Sequence, residues 1–340
     1  MIRRPPRSTR KESSAASDVY KRQGFNLLNK FLPSVIKNTP TDVDIYIIDN
    51  GSTDKSIDFI NTNFPLVKII NLDNNYGYAK GYNLGIKKID ADIICLLNND
   101  VEVTKNWTEP VIELFKSEKN TAIIQPKLLD YNNRKMFDYA GAAGGFLDKF
   151  GYPYCHGRIY NKIEADNGQY DAISKIFWAC GACFFIRKEI FELVGGFDDN
   201  YWAHMEEIDL CWRIQNLGYH VKYHYKSRVY HLNAGTLKVS DSNKTYYNFR
   251  NQLYTLTKNC KDNLFLLLFF KFFIDLLLSI FFLLTKGIKH TLAIYRAYIS
   301  FYRKLQELMM LRKNLNREIV HYNVYSIIFY FLGLKRLKKV

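Results

Sequence analysis

From Gly24 onward apolar residues recur at helical spacing: Phe25, Leu28, Phe31, Leu32, Val35 and Ile36 share one face and predict a first helix. An apolar strand over 43–49 follows, then a polar turn and a helix near 55–63. The alternation repeats with a strand over 67–71, a helix over 81–88 and a strand over 92–97. Strands alternating with helices of this length predict an α/β domain built on a mostly parallel sheet covered on both faces. Residues 121–125, 176–187 and 219–230 predict further strands, with a helix over 208–217 between the last two. Residues 130–174 are rich in Gly and Tyr and weakly patterned, as expected of loops or small hairpins over a site.

The pattern fails before Gly24. Residues 1–23 have no apolar period and two adjacent prolines; they lack the apolar core of a secretory signal, and their acids count against a transit peptide. They read as a non-native, disordered leader. A doubly wound domain opens on a strand before its first helix. None is legible here, so the first strand is expected to be missing, leaving a raw sheet edge.

After about residue 240 the composition changes. The stretch 264–284 carries only two charges, Lys271 and Asp275, and is long enough to span a bilayer. Each central charge costs about 2.5–3.5 kcal/mol on insertion scales, and the i,i+4 pair suits a helix lying in an interface. A helical core against the preceding domain is the other reading. The chain therefore divides into a leader (1–23), an α/β domain (24–240) and a helical, basic, membrane-associating region (241–340).

The net charge of +15 first suggests a nucleic-acid binder. Its distribution excludes that class. Residues 1–23 carry seven Lys/Arg against two acids, residues 286–340 twelve against two, and the 24–285 body balances 29 against 29. The basic residues flank apolar helices, so an anionic membrane surface is the expected polyanion, not nucleic acid. The six cysteines are scattered and are expected to be free thiols, including Cys180 and Cys183, whose spacing lacks a second pair to complete a zinc site.

Four polar clusters interrupt the apolar pattern. Asn98-Asn99-Asp100 ends a greasy strand, where α/β sheets bind ligands; it is either a plain turn or one face of a divalent cation site. Asp49-Asn50-Gly51-Ser52-Thr53-Asp54 also follows a strand; it can meet a base edge and ribose, or cap a helix through Ser52 or Thr53. The turn 75–83 feeds a helix whose N-terminus, with Lys80, can sit near a diphosphate, although a P-loop pattern is absent. Glu206-Glu207 opens an amphipathic helix, either complementing its dipole or supplying a general base. His231 ends a strand, where it can join Asp100 at a metal.

The succession DNGSTD (49–54), NYGYAKGYN (75–83), LLNND (96–100), the run 181–219 with GGFDD and MEEID, and YHLNAG (230–235) resembles inverting family 2 glycosyltransferases of the GT-A fold. It is most similar to the rhamnosyltransferase-like branch that builds bacterial surface polysaccharides, as is Tyr246-Tyr247-Asn248-Phe249-Arg250-Asn251 ahead of membrane-hugging helices. The resemblance implies a nucleotide-sugar pocket lined by Asp49, Asn50, Ser52, Asp73, Lys80, Asn83, Asn98 and Asn99. It implies Mg²⁺ or Mn²⁺ on Asp100 and His231, Glu207 as base with Glu206 beside it, and Trp202 and His204 on the acceptor side. Asn98 departs from the family's DxD pattern, and Asn50 replaces a common Asp. The implied reaction moves a sugar, rhamnose by branch resemblance, from a dTDP- or UDP-linked donor to a lipid-linked or glycan acceptor at the cytoplasmic face of a bacterial inner membrane. A transferase of galactofuranosyl or glucosyl specificity, or a catalytically dead glycan-binding fragment, are the alternatives.

Overall fold

The computed structural model describes residues 16–17, 24–233, 241–324 and 326–327. In chain order its elements are β1 (Ala16–Ser17), α1 (Phe25–Asn38), β2 (Tyr46–Asn50), α2 (Ser56–Asn63), β3 (Lys68–Leu72), α3 (Gly77–Ile86), β4 (Ile93–Leu97), β5 (Val101–Val103), α4 (Glu109–Ser117) and β6 (Thr121–Asp130). Then come β7 (Gly145–Asp148), β8 (Pro153–Cys155), β9 (Arg158–Ile159), β10 (Lys162–Ile163), β11 (Ser174–Lys175), β12 (Cys183–Arg187), α5 (Lys188–Leu193), α6 (Glu206–Asn216) and β13 (His220–His231). The chain finishes with α7 (Ser242–Asn259), α8 (Leu264–Thr285), α9 (Ile288–Asn314) and β14 (Tyr322–Val324).

The main sheet runs β1-β4-β12-β6-β13-β11, with β5 on β13. It is mixed: β1–β4 and β6–β13 are parallel, while β12 lies antiparallel between β4 and β6. Every residue of β4 and four of five in β12 are buried, which is why both read as unbroken apolar runs. The parallel pair β2–β3 stands as a separate sheet. Among the described residues, the first-strand position beside β4 is held by Ala16, opposite Cys95, and Ser17, opposite Leu96. The stretch expected to lack structure therefore contributes a short strand; the rest of 1–23 lies outside the described residues. An apolar cavity lies between α1, Ile45, Ile47, Leu97 and Asn99.

Residues 130–174 supply most of a second, five-stranded sheet, β10-β9-β8-β7-β14. The strand expected over 176–187 is confined to Cys183–Arg187. Its first half turns instead, with the Cys180 amide donating to the Gln125 side chain at 2.8 Å. All six cysteines are free and buried.

Helix α8 is, among the described residues, long and apolar enough to cross a membrane. Its two charges face the protein: Lys271 and Asp275 are buried, 3.3 Å apart, with Gln252 accepting from Lys271 at 3.0 Å and Tyr298 donating to Asp275 at 2.7 Å. The opposite side leaves Phe265, Phe269, Phe273, Leu277 and Leu284 exposed.

Candidate active site

β4 delivers Asn98-Asn99-Asp100 at its carboxyl end, and β5 pairs with β13 so that Val101 lies opposite His231. This register sets the two predicted metal ligands together, with His231 Nε2 3.3 Å from Asp100 Oδ1. On its other side His231 Nδ1 lies 3.2 Å from Oδ1 of Asp138. Asp138 is fully buried and also accepts from Asn233 and from the amides of Ala140 and Gly141 at 2.7 and 3.0 Å. Asp100, His231 and Asp138 thus form a carboxylate–imidazole–carboxylate row. Burial disfavours charge on His231, but Asp138 and Asp100 outweigh it and raise its pKa to about 10. Sequence reasoning missed Asp138, which sits in the weakly patterned stretch; its one local signal is a carboxylate followed by small residues just past a buried strand.

The row fits a hard divalent cation. One carboxylate and one imidazole leave most of the coordination sphere to substrate oxygens and water, and the Asn99 amide nitrogen nearby is buried without a partner among the described residues. No group of three or more His, Cys, Asp or Glu among those residues is arranged to hold an ion by itself.

Glu206 and Glu207 begin α6. The two residues before them, His204 (φ 67°) and Met205 (φ 73°), are left-handed, a conformation that non-glycine residues hold only when their surroundings impose it. Asn251 on α7 imposes it, donating to the carbonyls of Ala203 and His204 at 2.9 and 2.6 Å, while Arg250 donates to Asn200 O at 3.1 Å. The two acids then differ. Glu206 is 5% exposed and Glu207 is only partly buried, although one carboxylate oxygen of each is shut off from solvent. Burial pushes Glu206 well above the usual carboxylate range and Glu207 to about 7, and one oxygen of each is unpartnered among the described residues. Burial likewise depresses His204 to about 4 and leaves its Nε2 unpartnered. Trp202 is 42% exposed; its carbonyl and ring back onto Gly77, where a Cβ would come within 2.9 Å of the carbonyl oxygen. Asp209, one turn further on, is structural, paired with Lys258 at 2.8 Å and Arg213 at 2.9 Å.

Glu207 is not in contact with the Asp100–His231 pair.

The predicted donor residues divide by what they bond. Asn50 is buried, its amide spent on the 75–77 turn: it donates to Gly77 O at 3.1 Å and accepts from the Tyr76 amide at 3.0 Å. Asp49 accepts from the Ser52 amide at 3.2 Å. Neither Ser52 nor Thr53 caps α2; Asp54 accepts from the Ser56 amide at 3.1 Å. Asp73 is exposed, held by the Tyr76 hydroxyl at 2.7 Å, and Lys80 lies exposed over the Tyr76 ring at 5.0 Å. Asn83 joins α3 to the 197–199 turn, donating to Phe197 O and Asp199 at 2.8 Å each. Asn98 and Asn99 remain half-buried beside Asp100.

A mixed α/β sheet with acidic and imidazole groups at its strand ends and a carboxylate pair on a flanking helix is the GT-A glycosyltransferase arrangement. A solved structure of GalNAc-T7 with UDP, GalNAc and Mn²⁺ superposes with a TM-score of 0.59 at 18% identity, covering 74% of this chain and 48% of that one. The glycosyl transferase family 2 profile matches residues 18–195, and the chain belongs to that family. It is 24% identical over 223 residues to the N-acetylglucosaminyl-diphospho-decaprenol L-rhamnosyltransferase of Mycobacterium tuberculosis, covering 61% of this chain and 72% of that protein. It is 22% identical over 217 residues to a low-salt glycan biosynthesis hexosyltransferase of Haloferax volcanii, covering 62% of this chain and 66% of the relative.

Proposed function

We propose that this family 2 glycosyltransferase moves a sugar, with inversion, from a nucleotide-sugar donor to a lipid-linked or polysaccharide acceptor in bacterial surface glycan synthesis. Rhamnose on a dTDP or UDP carrier is the donor we favour, by likeness to the mycobacterial rhamnosyltransferase. The observation that carries this reading is the contact of Asp100 with His231 just past the end of β4, and Glu207 at the start of α6 supports it as the candidate base.

Glu207 accepts the proton of the acceptor hydroxyl as that oxygen attacks the anomeric carbon, and the nucleoside diphosphate departs from the opposite face. A pKa near 7 suits this work, because the base is then available at neutral pH without being too weak to take the proton. Glu206, buried behind it, stays neutral and leaves the negative charge to its neighbour. Asp100 and His231 would hold Mg²⁺ or Mn²⁺, whose positive charge stabilises the departing diphosphate. Asp138 fixes the tilt of His231 so that Nε2 faces Asp100. Trp202 and His204 lie on the same turn as the base and would line the acceptor side. The exposed apolar face of α8 and the basic flank beyond it support attachment at the cytoplasmic face of the inner membrane, peripheral or shallowly inserted.

Nucleotide release from a panel of nucleotide sugars, with Mn²⁺ or Mg²⁺, tests this reading. Hydrolysis of at least one donor, dependent on the metal, is expected; none across the panel would overturn the transferase reading in favour of a glycan binder without catalysis.

A further inference from the structure

Asn50 closes β2 and is 4% exposed. A buried carboxamide must find partners for two hydrogens and an oxygen, or lose the hydrogen bonds it made in water. Asn50 finds them all in one turn of the chain. Its amide nitrogen donates to Gly77 O at 3.1 Å and to Asn75 Oδ1 at 3.2 Å, while its oxygen accepts from the Tyr76 amide at 3.0 Å. Gly77 O can only accept and the Tyr76 amide can only donate, so the orientation of the carboxamide is fixed. Asn75 is held in turn, its Oδ1 also accepting from the Gly77 amide at 3.0 Å. With both hydrogens spent, Asn50 has no donor left for a base or a ribose. A carboxylate in its place would turn an oxygen without a hydrogen toward Gly77 O and Asn75 Oδ1.

The turn that Asn50 shapes is a seat. Gly77 is left-handed (φ 73°), and a Cβ on it would come within 2.9 Å of Trp202 O and 3.0 Å of the Trp202 ring. The next amide, that of Tyr78, donates to Trp202 O at 3.2 Å. From Trp202 the chain passes through the left-handed His204 and Met205 into α6 and Glu207. Asn251 grips this lead-in from α7, at the carbonyls of Ala203 and His204. The start of α3 grips it from the other end, at Trp202. Every link from Asn50 to Trp202 is a hydrogen bond or a close approach that leaves no room for a Cβ.

We propose that Asn50 is a positioning residue: it fixes the 75–77 turn as the seat of Trp202, and through Trp202 the stretch that presents Glu207, and it does not contact the nucleotide. This rests on the transferase reading with Glu207 as base, and adds the residue that ties the end of β2 to it.

The test reads Trp202 directly. Trp107, Trp178 and Trp212 are at most 3% exposed and Trp202 is 42% exposed, so acrylamide quenching of the full chain's tryptophan fluorescence reports on Trp202, with Trp202→Phe as background. Asn50→Ala frees the turn from its hydrogen bonds and should raise the Trp202 quenching constant about 1.5-fold or more. Gly77→Ala crowds the same seat and should raise it similarly, and the double variant should add little to either single change. Calorimetric UDP affinity with Mn²⁺ should stay within about threefold of wild type in Asn50→Ala. Nucleotide release from a donor that the wild type hydrolyses should lose about fivefold or more in kcat, with donor KM within about threefold. An unchanged quenching constant, full additivity in the double variant, a tenfold loss of UDP affinity or an unchanged kcat each overturns the proposal. Asn50→Asp, which keeps the shape and removes both hydrogens, supplies the same readings should circular dichroism show Asn50→Ala unfolded. A wild type that neither binds UDP nor hydrolyses any donor overturns the transferase reading instead. The quenching comparison needs no ligand and still decides whether Asn50 seats Trp202.

Discussion

Glu206 and Glu207 are neighbours of one chemical type; Glu206 is the more deeply buried, and Glu207 is the one we propose as base. Glu207→Gln should abolish transfer while leaving UDP affinity near that of the wild type; persistent transfer would remove Glu207 from the mechanism. Because the base must be ionised, the free enzyme's kcat/KM should rise with pH through about 7. Stability runs the other way. A carboxyl whose folded pKa is raised favours the folded state below its unfolded pKa and loses that contribution as pH climbs to about 7. Urea midpoints of Glu207→Gln should therefore exceed those of the wild type above pH 7 and converge with them in acid. Asp138 leads to a different measurement. Asp138→Asn keeps the shape but removes the charge that orients His231, and should weaken Mn²⁺ binding by about 10–100-fold in a direct titration. Asp100 and His231 were legible as strand-end residues, whereas Asp138 was not. Its role depends on the chain folding back along β6, where the Asp138 amide donates to Leu128 O, so that it meets His231, 93 positions away, at the end of β13.

Among the elements, the strand and helix alternation was legible where a buried strand is nearly all apolar, as in β4 and β12, although buried β6 also carries Gln125 and Lys127. Two departures have physical causes. The apolar run from Ile176 to Ala182 looks like a strand but is a buried turn, since unbroken apolarity marks burial and not conformation. α3 starts at Gly77, ahead of the expected 81, because its glycines serve close packing: a Cβ at Gly85 would come within 2.3 Å of Ile48. What holds α6 was hidden as well. Lys258 of α7 reaches both Asp198, in the turn before Trp202, and Asp209, on α6, so the turn and both helices share one buried cation. The Lys258 ammonium and Arg213 together override burial and hold Asp209 at a pKa of about 2. Lys258→Met strands Asp209 with Arg213 alone and leaves Asp198 without its cation. Loss of about 3–5 kcal/mol in urea unfolding is expected, the range for breaking a buried pair from one side. A loss below about 1 kcal/mol would show that Arg213, with the Asn259 amide that donates to Asp209 at 2.8 Å, suffices.

For the whole molecule, the neutral body and basic flank acquire a direction from α8. Turning Lys271 and Asp275 inward removes the main objection to apolar contact with lipid, since neither charge needs to enter hydrocarbon. The same inward turn argues against a simple span, because α8 presents one side to protein along its length while Phe269 and Phe273 face outward. Lys286, Lys289, Arg296 and Arg303 lie exposed on the adjoining segment, placed to meet anionic headgroups while the phenylalanines enter the acyl boundary. Both contributions can be separated. Raising salt from 0.1 M to 1 M shortens the screening length from about 10 to about 3 Å and should weaken binding to anionic vesicles without abolishing it. The double variant Phe269→Glu/Phe273→Glu should lower binding at both salts, at least tenfold, with circular dichroism unchanged. Alkaline carbonate should release the wild-type chain from membranes; retention in the pellet would mean that α8 crosses the bilayer and that its polar face is covered by more than its own chain.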